Sequence, residues 1–419
     1  MSRILKKALA EGIINVDDTA AVFYDLSGLD KKINSLKASF PQGTLHAMAI
    51  KANPLTGVLR RLNEKGIAAE AASLPEFYIA QKSGFESDRI VFDSPAKTRS
   101  ELAYALKAGV HINIDSFEEL EIVAELKKRI ESRSTLGIRL NPQVGTGKIK
   151  ATSVAGEYSK FGIPLRRHRQ TLLKAYQDYG WLRGVHLHIG SQGCSPEMLV
   201  DGVRAALDFA LEVNGKIKSP GRAQAIDIFD IGGGLPAIYR ETDKPVSLEQ
   251  YADALRSKCP ELFGGQFRLI TEFGRHIFAN IGWAVSRVEY VKVETSPSTL
   301  INHLGADMFI RECYTPDDWY HDISACGSTG ELKSGETSEY MIAGPLCFSG
   351  DMLARNIRLP EMESGDYLLI HDCGAYTMSM WSRYNSRIIP KVIGYHNDGD
   401  KFEIIKKRET LDRVLDFWS

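Results

Sequence analysis

The sequence predicts an α/β fold: a (β/α)8 barrel of the TIM type with a second, C-terminal antiparallel β domain. Eight short apolar runs alternate with helical patterns over roughly 230 residues, which is the repeat of such a barrel. The runs are nearly continuous in apolar residues, as in strands that are buried on both faces of a parallel sheet. Near residue 281 the pattern changes to short segments of alternating character, which is typical of antiparallel strands. A doubly wound parallel sheet is the alternative for the first part of the chain.

Predicted strands and helices follow one another along the chain. Barrel strands are expected at 45–50, 67–72, 90–92, 110–115, 136–140, 185–189, 226–231 and 269–272. Helices are expected at 55–65, 75–83, 100–108, 117–130, 166–179, 196–213 and 247–259. Strands of the β domain are expected at 284–293, 339–343, 366–371, 387–394 and 402–406. A strand-like segment at 21–26 is assigned to the same domain. We therefore expect a barrel domain at 27–280 and a β domain made of 1–26 plus 281–419.

Composition narrows the class of protein. The 419 residues are 43% hydrophobic and 25% charged, with a formal net charge of −1, so neither nucleic acid nor a membrane is expected as a partner. The amino terminus lacks the apolar core of a secretion signal. The six cysteines are scattered, which predicts free thiols in a reducing compartment and a cytoplasmic location. No metal-binding motif is present, and no metal is expected.

A lysine stands at the end of the first predicted barrel strand. The strand-like run that begins at His46 ends at Lys51, and Asn53-Pro54 then opens a helical pattern. The carboxyl ends of barrel strands carry the active site in such enzymes. A lysine there can lose its proton and form a Schiff base with a carbonyl compound or with pyridoxal phosphate.

Further polar residues follow the other predicted strands, and their clustering at strand ends is what an active-site mouth requires. The set is Glu70, Ser73, Arg139, Asn141, His186, His188, Ser191, Glu272 and Arg275. Gly232-Gly233-Gly234 follows the seventh strand, where backbone N–H groups without neighbouring Cβ atoms can approach a phosphate. A carboxylate such as Glu272 can keep a pyridine nitrogen protonated, and the ring then withdraws electrons. His188 can stack on the ring face.

A family resemblance rests on motifs that span residues from about 46 to 376. They are Ala49-Ile-Lys51-Ala-Asn53, Glu70-Ala-Ala-Ser73-Leu-Pro-Glu76, Ser159-Lys-Phe-Gly162, His186-Leu-His188-Ile-Gly190-Ser191-Gln192, Ile231-Gly-Gly-Gly234, Glu272-Phe-Gly-Arg275, Gly344-Pro-Leu-Cys347-Phe-Ser-Gly-Asp351 and Gly374-Ala-Tyr376. The chain resembles the fold-type III pyridoxal-phosphate decarboxylases, the group of diaminopimelate, ornithine and biosynthetic arginine decarboxylases. The motifs at 159–162 and 190–192 favour the diaminopimelate branch.

The resemblance implies a cofactor, pyridoxal 5′-phosphate (PLP), and a role for each matched residue. Lys51 would carry the cofactor as an imine, His188 would stack on its ring, and Glu272 would pair with the ring nitrogen. The remaining cofactor-binding residues would be Glu70, Arg139, Ser191, Gly233, Gly234, Gly274, Arg275 and Tyr376. Cys347 would return a proton to the α carbon after carbon dioxide leaves. The resemblance also implies a homodimer in which Cys347 and Tyr376 enter the active site of the partner subunit.

One departure from the family affects the substrate. The diaminopimelate and ornithine branches carry Glu or Asp directly after the cysteine, where it reads a distal amino group, but this chain has Phe348. Arg311 could hold a distal carboxylate bidentately. Tyr314 would lie beside it, although the spacing between the two is one residue shorter than in the family. The substrate pocket is therefore expected to include Arg311, Tyr314, Phe348 and Tyr376.

These observations predict a PLP-dependent carboxy-lyase, with meso-diaminopimelate to L-lysine as the leading reaction and lysine biosynthesis as its setting. The alternative is a decarboxylase of a different amino acid, or of an amino-acid conjugate with a distal carboxylate or polar group. A racemase or epimerase on the same scaffold is less favoured, because Cys347 has a decarboxylase-like context. A relative without catalytic activity that binds a partner protein is also less favoured, because both Lys51 and Cys347 are present.

Overall fold

A computed structural model describes residues 1–218 and 221–419, and they form two compact units. The barrel unit comprises Ile33–Ala237 and Pro245–His276, and the β unit comprises Met1–Lys32, Ile238–Lys244 and Ile277–Ser419. None of the helices in the described residues is long and apolar enough to cross a membrane.

The strands and helices alternate through the first two thirds of the chain. The strands are β1 Ala20–Asp25, β2 Leu45–Ala49, β3 Ala68–Ala71, β4 Ile90–Asp93, β5 His111–Ile114, β6 Leu136–Asn141, β7 Ile163–Pro164, β8 Leu182–His186, β9 Ile228–Asp230, β10 Arg268–Thr271, β11 Gly282–Lys292, β12 Ser298–Asn302, β13 Ile323–Cys326, β14 Thr337–Ala343, β15 Met352–Pro360, β16 Tyr367–Ile370, β17 Lys391–His396 and β18 Lys401–Lys406. The helices are α1 Ser2–Ala10, α2 Leu26–Ser39, α3 Thr56–Glu64, α4 Leu74–Lys82, α5 Arg99–Ala108, α6 Phe117–Lys127, α7 Leu165–Asp178, α8 Pro196–Lys216, α9 Leu248–Lys258, α10 Arg275–Phe278, α11 Ile310–Tyr314 and α12 Leu411–Trp418.

The barrel unit is a closed parallel barrel. Its sheet runs in the order β5-β4-β3-β2-β10-β9-β8-β6, and β5 also pairs with β6, so no edge remains. The short strand β7 adds to β6. The predicted (β/α)8 barrel is confirmed, and closure between β5 and β6 excludes the doubly wound alternative, which is an open sheet.

The barrel interior changes from apolar to polar along its strands. A cluster of small and branched side chains fills one layer, formed by Ala47, Ala68, Val91, Ile228 and Ile270. Because side chains alternate along a strand, the residue two positions further on points into the barrel as well. In four strands that residue is a buried acid, namely Glu70, Asp93, Asp230 and Glu272. The acids therefore collect toward the carboxyl ends of the strands.

Side-chain caps fix where several barrel helices begin. Thr98 and Glu101 form a reciprocal capping box at the start of α5, and Ser247 and Gln250 form one at the start of α9. Ser116 accepts the N–H of Glu119 at the start of α6. Each cap satisfies a backbone N–H that a helix leaves unpaired in its first turn.

The β unit is built on a nine-stranded sheet in which β15-β14-β12-β11-β1-β17-β18 is the main path, and β16 pairs with β11 and β13. Most pairings are antiparallel, as predicted, but β1–β17 and β12–β14 are parallel. Strand β1 pairs with β11 and β17, so this early segment lies in the same sheet. One core of the unit packs Phe23 on Trp283, with stacked rings 4.2 Å apart.

Candidate active site

Lys51 lies in a short 3-10 turn, Ile50–Ala52, directly after β2. Asn53 is extended and ends the turn, and its Oδ1 accepts the N–H of Leu55 at 3.2 Å. The Lys51 ammonium forms an ion pair with Glu70, at the end of β3. The Lys51 side chain is 40% exposed, whereas that of Glu70 is fully buried. The barrel therefore presents an accessible amine at its carboxyl end with a buried acid beneath it.

Glu70 holds its proton more tightly than an ordinary glutamate. Burial raises its pKa to about 8, and the nearby charges of Glu272 and Asp93 add to that effect, although Lys51 opposes it. Its Oε1 has no hydrogen-bond partner among the described residues. A buried carboxyl that favours its protonated form therefore lies beside the Lys51 amine, where it can take part in proton transfer.

Glu272 follows β10, and His186 separates it from Asp93. His186 Nε2 lies 3.5 Å from a Glu272 oxygen, and its Nδ1 lies 3.8 Å from an Asp93 oxygen. Burial disfavours a charged imidazole, yet Asp93, Glu272 and Asp230 together raise the pKa of His186 to about 9. Burial likewise opposes ionisation of Glu272, but the imidazolium outweighs it and lowers the pKa of that carboxyl. Glu272 is thus held as a buried carboxylate.

His188 is neutral and fixed in orientation. Burial, with the charges of Arg139 and Lys51, lowers its pKa to about 3. Its Nδ1 accepts the N–H of Gly233 at 3.0 Å, which leaves the proton on Nε2. A neutral, held imidazole is suited to lie flat against a planar ring.

The triple glycine forms a turn in which side chains do not fit. A Cβ on Gly232 would lie 2.2 Å from the Leu187 carbonyl oxygen, and one on Gly233 would lie 2.5 Å from that of Glu272. Gly232 and Gly234 also have left-handed backbones, with φ of 66° and 120°. The turn therefore brings main chain close to the strand ends that carry His188 and Glu272.

Ser191 and Arg275 lie together near this turn. Arg275 is buried, begins α10, and donates from Nε to the Ser191 hydroxyl at 2.9 Å. Gly274 precedes it, and a Cβ there would lie 2.8 Å from Ala52 Cβ, beside the Lys51 turn. A guanidinium, a hydroxyl and a glycine turn form the donor set that binds a phosphate.

Arg139 forms ion pairs with buried acids of the barrel, and the sequence analysis identified Arg139 but not these acids. It pairs with Asp93 at 2.9 Å and with Asp115 at 3.8 Å, and its guanidinium lies over the Phe161 ring at 4.6 Å. Asp93, Asp115 and Asp230 were not predicted as site residues. Their signal was available, because each ends or follows a barrel strand at an inward position.

The β unit contains Cys347 in the loop between β14 and β15, and the side chain is exposed. Phe348, which follows it, packs on Tyr314 with ring centres 5.5 Å apart and on Tyr384 at 6.2 Å. An aromatic surface therefore adjoins the cysteine. Tyr384 was not predicted as a site residue.

Arg311 is held between two aromatic rings in the same unit. Its guanidinium lies 4.4 Å from the centre of the Trp319 ring and 4.9 Å from that of Tyr376. Stacking on aromatic faces restricts a guanidinium while its edge remains able to bind a carboxylate. Arg311 and Tyr376 are thus in contact, whereas the Tyr314 ring packs on Phe348.

The barrel residues fit PLP on two observations. Glu272 Oε1 is buried and has no hydrogen-bond partner among the described residues, and a protonated ring nitrogen would supply one. The Gly232–Gly234 turn with Ser191 and Arg275 matches a phosphate in chemistry. An aldehyde carbon within reach of Lys51 would complete the set.

A closed barrel with a lysine and a paired glutamate at its carboxyl end is the arrangement of a fold-type III PLP enzyme. The family model described as "Pyridoxal-dependent decarboxylase, pyridoxal binding domain" matches residues 26–279. The chain belongs to this family and is a PLP-dependent decarboxylase.

Similar proteins agree with that assignment. The diaminopimelate decarboxylase of Methanothermobacter thermautotrophicus is 32% identical over 375 residues, covering 88% of this chain and 83% of the relative. That of Helicobacter pylori is 30% identical over 414 residues, covering 97% and 96%. The crystal structure of diaminopimelate decarboxylase from Helicobacter pylori complexed with L-lysine matches with a TM-score of 0.84 at 27% identity, covering 98% of this chain and 99% of the other.

Proposed function

We propose that this enzyme removes the α-carboxylate of meso-diaminopimelate and releases L-lysine. The observation that carries the catalytic part is Glu272, a buried carboxylate kept charged by His186, in the same barrel mouth as Lys51. The substrate assignment is supported by the relatives, which are named diaminopimelate decarboxylases.

The barrel residues divide the work of holding the cofactor. Lys51 would attach it covalently, and Glu70 would exchange a proton with the Lys51 amine. His188 would hold the ring, Glu272 would pair with the ring nitrogen, and Arg139 holds Asp93 in place. Ser191, Gly233, Gly234, Gly274 and Arg275 would hold the phosphate. When bound, PLP withdraws electrons from the α carbon, which lets the carboxylate leave as carbon dioxide.

Cys347 supplies the proton that replaces the lost carboxylate. A thiol is mostly protonated at neutral pH and can still give up its proton. We infer that the enzyme is a cytoplasmic homodimer, and that Cys347 and Tyr376 act in the active site of the partner subunit. Homodimeric enzymes commonly place active sites at a two-fold interface, since each subunit then completes the other's site.

Arg311 binds the distal carboxylate of the substrate in this proposal. Its position between Trp319 and Tyr376 supports the role, because a stacked guanidinium loses little further freedom on binding. Tyr314, Phe348 and Tyr376 line the rest of the pocket.

A second candidate substrate follows from Phe348. Its ring cannot accept a hydrogen bond from an ammonium, and it packs on Tyr314. A buried ammonium without a partner is costly, so an acid at this position would favour a diamino acid more strongly. The second candidate is therefore a different amino acid, or an amino-acid conjugate, with a distal carboxylate or polar group and no second ammonium.

The test is release of carbon dioxide by the purified, PLP-loaded enzyme over a panel of L-, D- and meso-amino acids with and without a distal carboxylate. We expect meso-diaminopimelate to give L-lysine and an equal amount of carbon dioxide. Faster turnover of a monoamino dicarboxylic acid would favour the second candidate. Racemisation without carbon dioxide, or no turnover of any substrate, would contradict the decarboxylase proposal.

A further inference from the structure

The main-chain N–H and carbonyl groups of Cys347 both form hydrogen bonds with side chains from another part of the β unit. The Cys347 N–H donates to Asn385 Oδ1 at 2.7 Å, and the Tyr384 hydroxyl donates to the Cys347 carbonyl oxygen at 3.1 Å. Both partners come from one short segment, residues 382–389, which lies far along the chain from the cysteine. Neither contact is required to form the sheet, since β14 ends at Ala343 and β15 begins at Met352.

Residues 382–389 are themselves held in place by contacts at both ends of the segment. Arg383 forms a bidentate ion pair with Glu409, with both distances 2.7 Å, and Glu409 also accepts the N–H of Ile389 at 3.1 Å. The N–H of Ser382 donates to the Asp307 carbonyl oxygen at 2.7 Å. A bidentate arginine–carboxylate pair fixes geometry as well as distance. The segment can therefore act as a fixed support.

Asn385 has a backbone that most residues avoid. Its φ is 55°, in the left-handed region, which asparagine tolerates better than other residues with a side chain. The residue with this conformation is also the one whose side-chain oxygen accepts the Cys347 N–H. The local backbone is thus shaped so that a side-chain oxygen meets the cysteine amide.

The other end of the cysteine loop is held by Asp351. Its two oxygens accept the N–H groups of Leu346 and Ala306, each at 2.6 Å. A Cβ on Gly305 or Gly344 would lie 2.1 Å or 2.4 Å from an Asp351 oxygen, so both glycines leave room for that carboxylate. Asp351 and residues 384 and 385 thus restrain the main chain of this loop, while the Cys347 side chain remains exposed.

We propose that Tyr384 and Asn385 are positioning residues that fix Cys347 as the proton donor of the reaction. This inference rests on the proposed function, in which the proton moves from Cys347 Sγ to the α carbon that carbon dioxide has left. The resulting thiolate takes a proton from water before the next turnover. Because proton transfer requires close approach, a displacement of about 1 Å can lower the rate up to about 100-fold.

The test uses three variants in the PLP-loaded enzyme. Asn385→Gly keeps the left-handed backbone and removes the acceptor, Asn385→Asp keeps both, and Tyr384→Phe removes only the hydroxyl. Asn397→Gly and Tyr290→Phe are matched controls in the same unit, because Asn397 also has a positive φ, of 42°, and Tyr290 is exposed on β11.

Two readouts separate positioning from general stability. Hydrogen exchange of a peptide that contains Cys347 reports how strongly the hydrogen bond to Asn385 protects the Cys347 N–H, and it requires no turnover. The ratio of amine to carbonyl product reports whether the proton reaches the α carbon, because the amino group stays with the cofactor when it does not. We expect Asn385→Gly to speed exchange about 10-fold and to lower kcat about 10- to 100-fold at similar KM, with more carbonyl product.

Asn385→Asp is expected to restore wild-type exchange and product ratio, Tyr384→Phe to show a smaller loss, and both controls to match wild type. Faster exchange with unchanged kcat and product ratio would overturn the proposal, because the hydrogen bond to Cys347 would then have no effect on proton transfer. Unchanged exchange in Asn385→Gly would also overturn it. Failure of the proposed function is distinguishable, since the wild-type enzyme itself would then release no carbon dioxide.

Discussion

His186 is a buried histidine whose charge stabilises the buried acids at the carboxyl end of the barrel strands. It lies between Asp93 and Glu272, and Asp230 is the third acid whose charge acts on it. Burial of several acids is costly unless a cation balances them. The imidazolium supplies part of that balance, beside the Arg139 guanidinium that pairs with Asp93, and it keeps Glu272 charged. His186 and His188 are two residues apart in a predicted strand and so share one of its faces, but only the three-dimensional arrangement separates their roles.

His186→Gln should destabilise the protein by about 3–5 kcal/mol at pH 6, because it leaves the buried Glu272 carboxylate without its imidazolium partner. The pKa of His186 is raised from 6.5 to about 9, so its stabilising contribution is complete below pH 6.5 and is lost as pH rises through about 9. Urea unfolding from pH 6 to pH 9.5 checks this, with His168→Gln in α7 as the control. An equal loss at both pH values would contradict a charged His186.

Phe348→Glu tests whether residue 348 affects the substrate preference, as the proposed substrate pocket implies. A carboxylate at this position could pair with a distal ammonium, which is worth about 1.5–3 kcal/mol, or at least about 10-fold in kcat/KM. We expect the variant to use meso-diaminopimelate better and a monoamino dicarboxylic acid worse, as measured by carbon dioxide release. Phe348→Leu is the control for loss of the ring. An unchanged preference in Phe348→Glu would show that this side chain does not face the substrate.

The positions of several candidate site residues were predictable from the sequence, because polar residues follow apolar strand-like runs. Lys51, Glu70, Arg139, His188 and Glu272 all lie at inward strand ends of the barrel, as expected. Asp93 and Asp230 were missed because Asp93 directly follows one apolar run and Asp230 lies within another, although alternation along the strand places both inside the barrel. Tyr384 and Asn385 could not be found, because their contacts with Cys347 join segments far apart in the chain.

At the level of elements, the barrel was predictable because every strand has an apolar run and most are followed by a helix with its own period. The strands β12, β13 and β15 of the β unit were not predicted. Strand β15 is mostly exposed or half-buried, so its sequence lacks the alternation that marks a half-buried strand. The parallel pairings of β1 with β17 and of β12 with β14 depend on contacts distant in sequence, which local patterns do not contain.

The glycine turn after β9 makes a prediction about the cofactor. Gly233→Ala should weaken PLP binding at least about 10-fold, because a Cβ would lie 2.5 Å from the Glu272 carbonyl oxygen and displace the turn or Glu272. Titration of the cofactor-free protein with PLP, followed by absorbance, measures the change. Gly180→Ala is the matched control, since a Cβ there meets nothing within 4 Å. Equal affinity in the two variants would place the cofactor away from this turn.

At the level of the whole molecule, the dimer proposal is tested by mixing two inactive variants. Lys51→Ala removes the cofactor attachment, and Cys347→Ala removes the proton donor. If each active site combines residues of two subunits, then random exchange of subunits should restore about one quarter of wild-type activity. Activity is measured before and after mixing, with each variant alone as the control. If both residues act within one subunit, hybrid dimers contain no intact site and activity stays absent.

The central claim is that Lys51 carries the cofactor, and reductive trapping tests it most directly. Borohydride treatment of the PLP-loaded protein should fix a pyridoxyl phosphate group on one lysine, which peptide mass spectrometry then locates. We expect the label on Lys51, with none in Lys51→Ala and an unchanged label in Lys97→Met, whose buried lysine pairs with Glu119. A label on another lysine of the wild-type protein, or no label at all, would contradict the account.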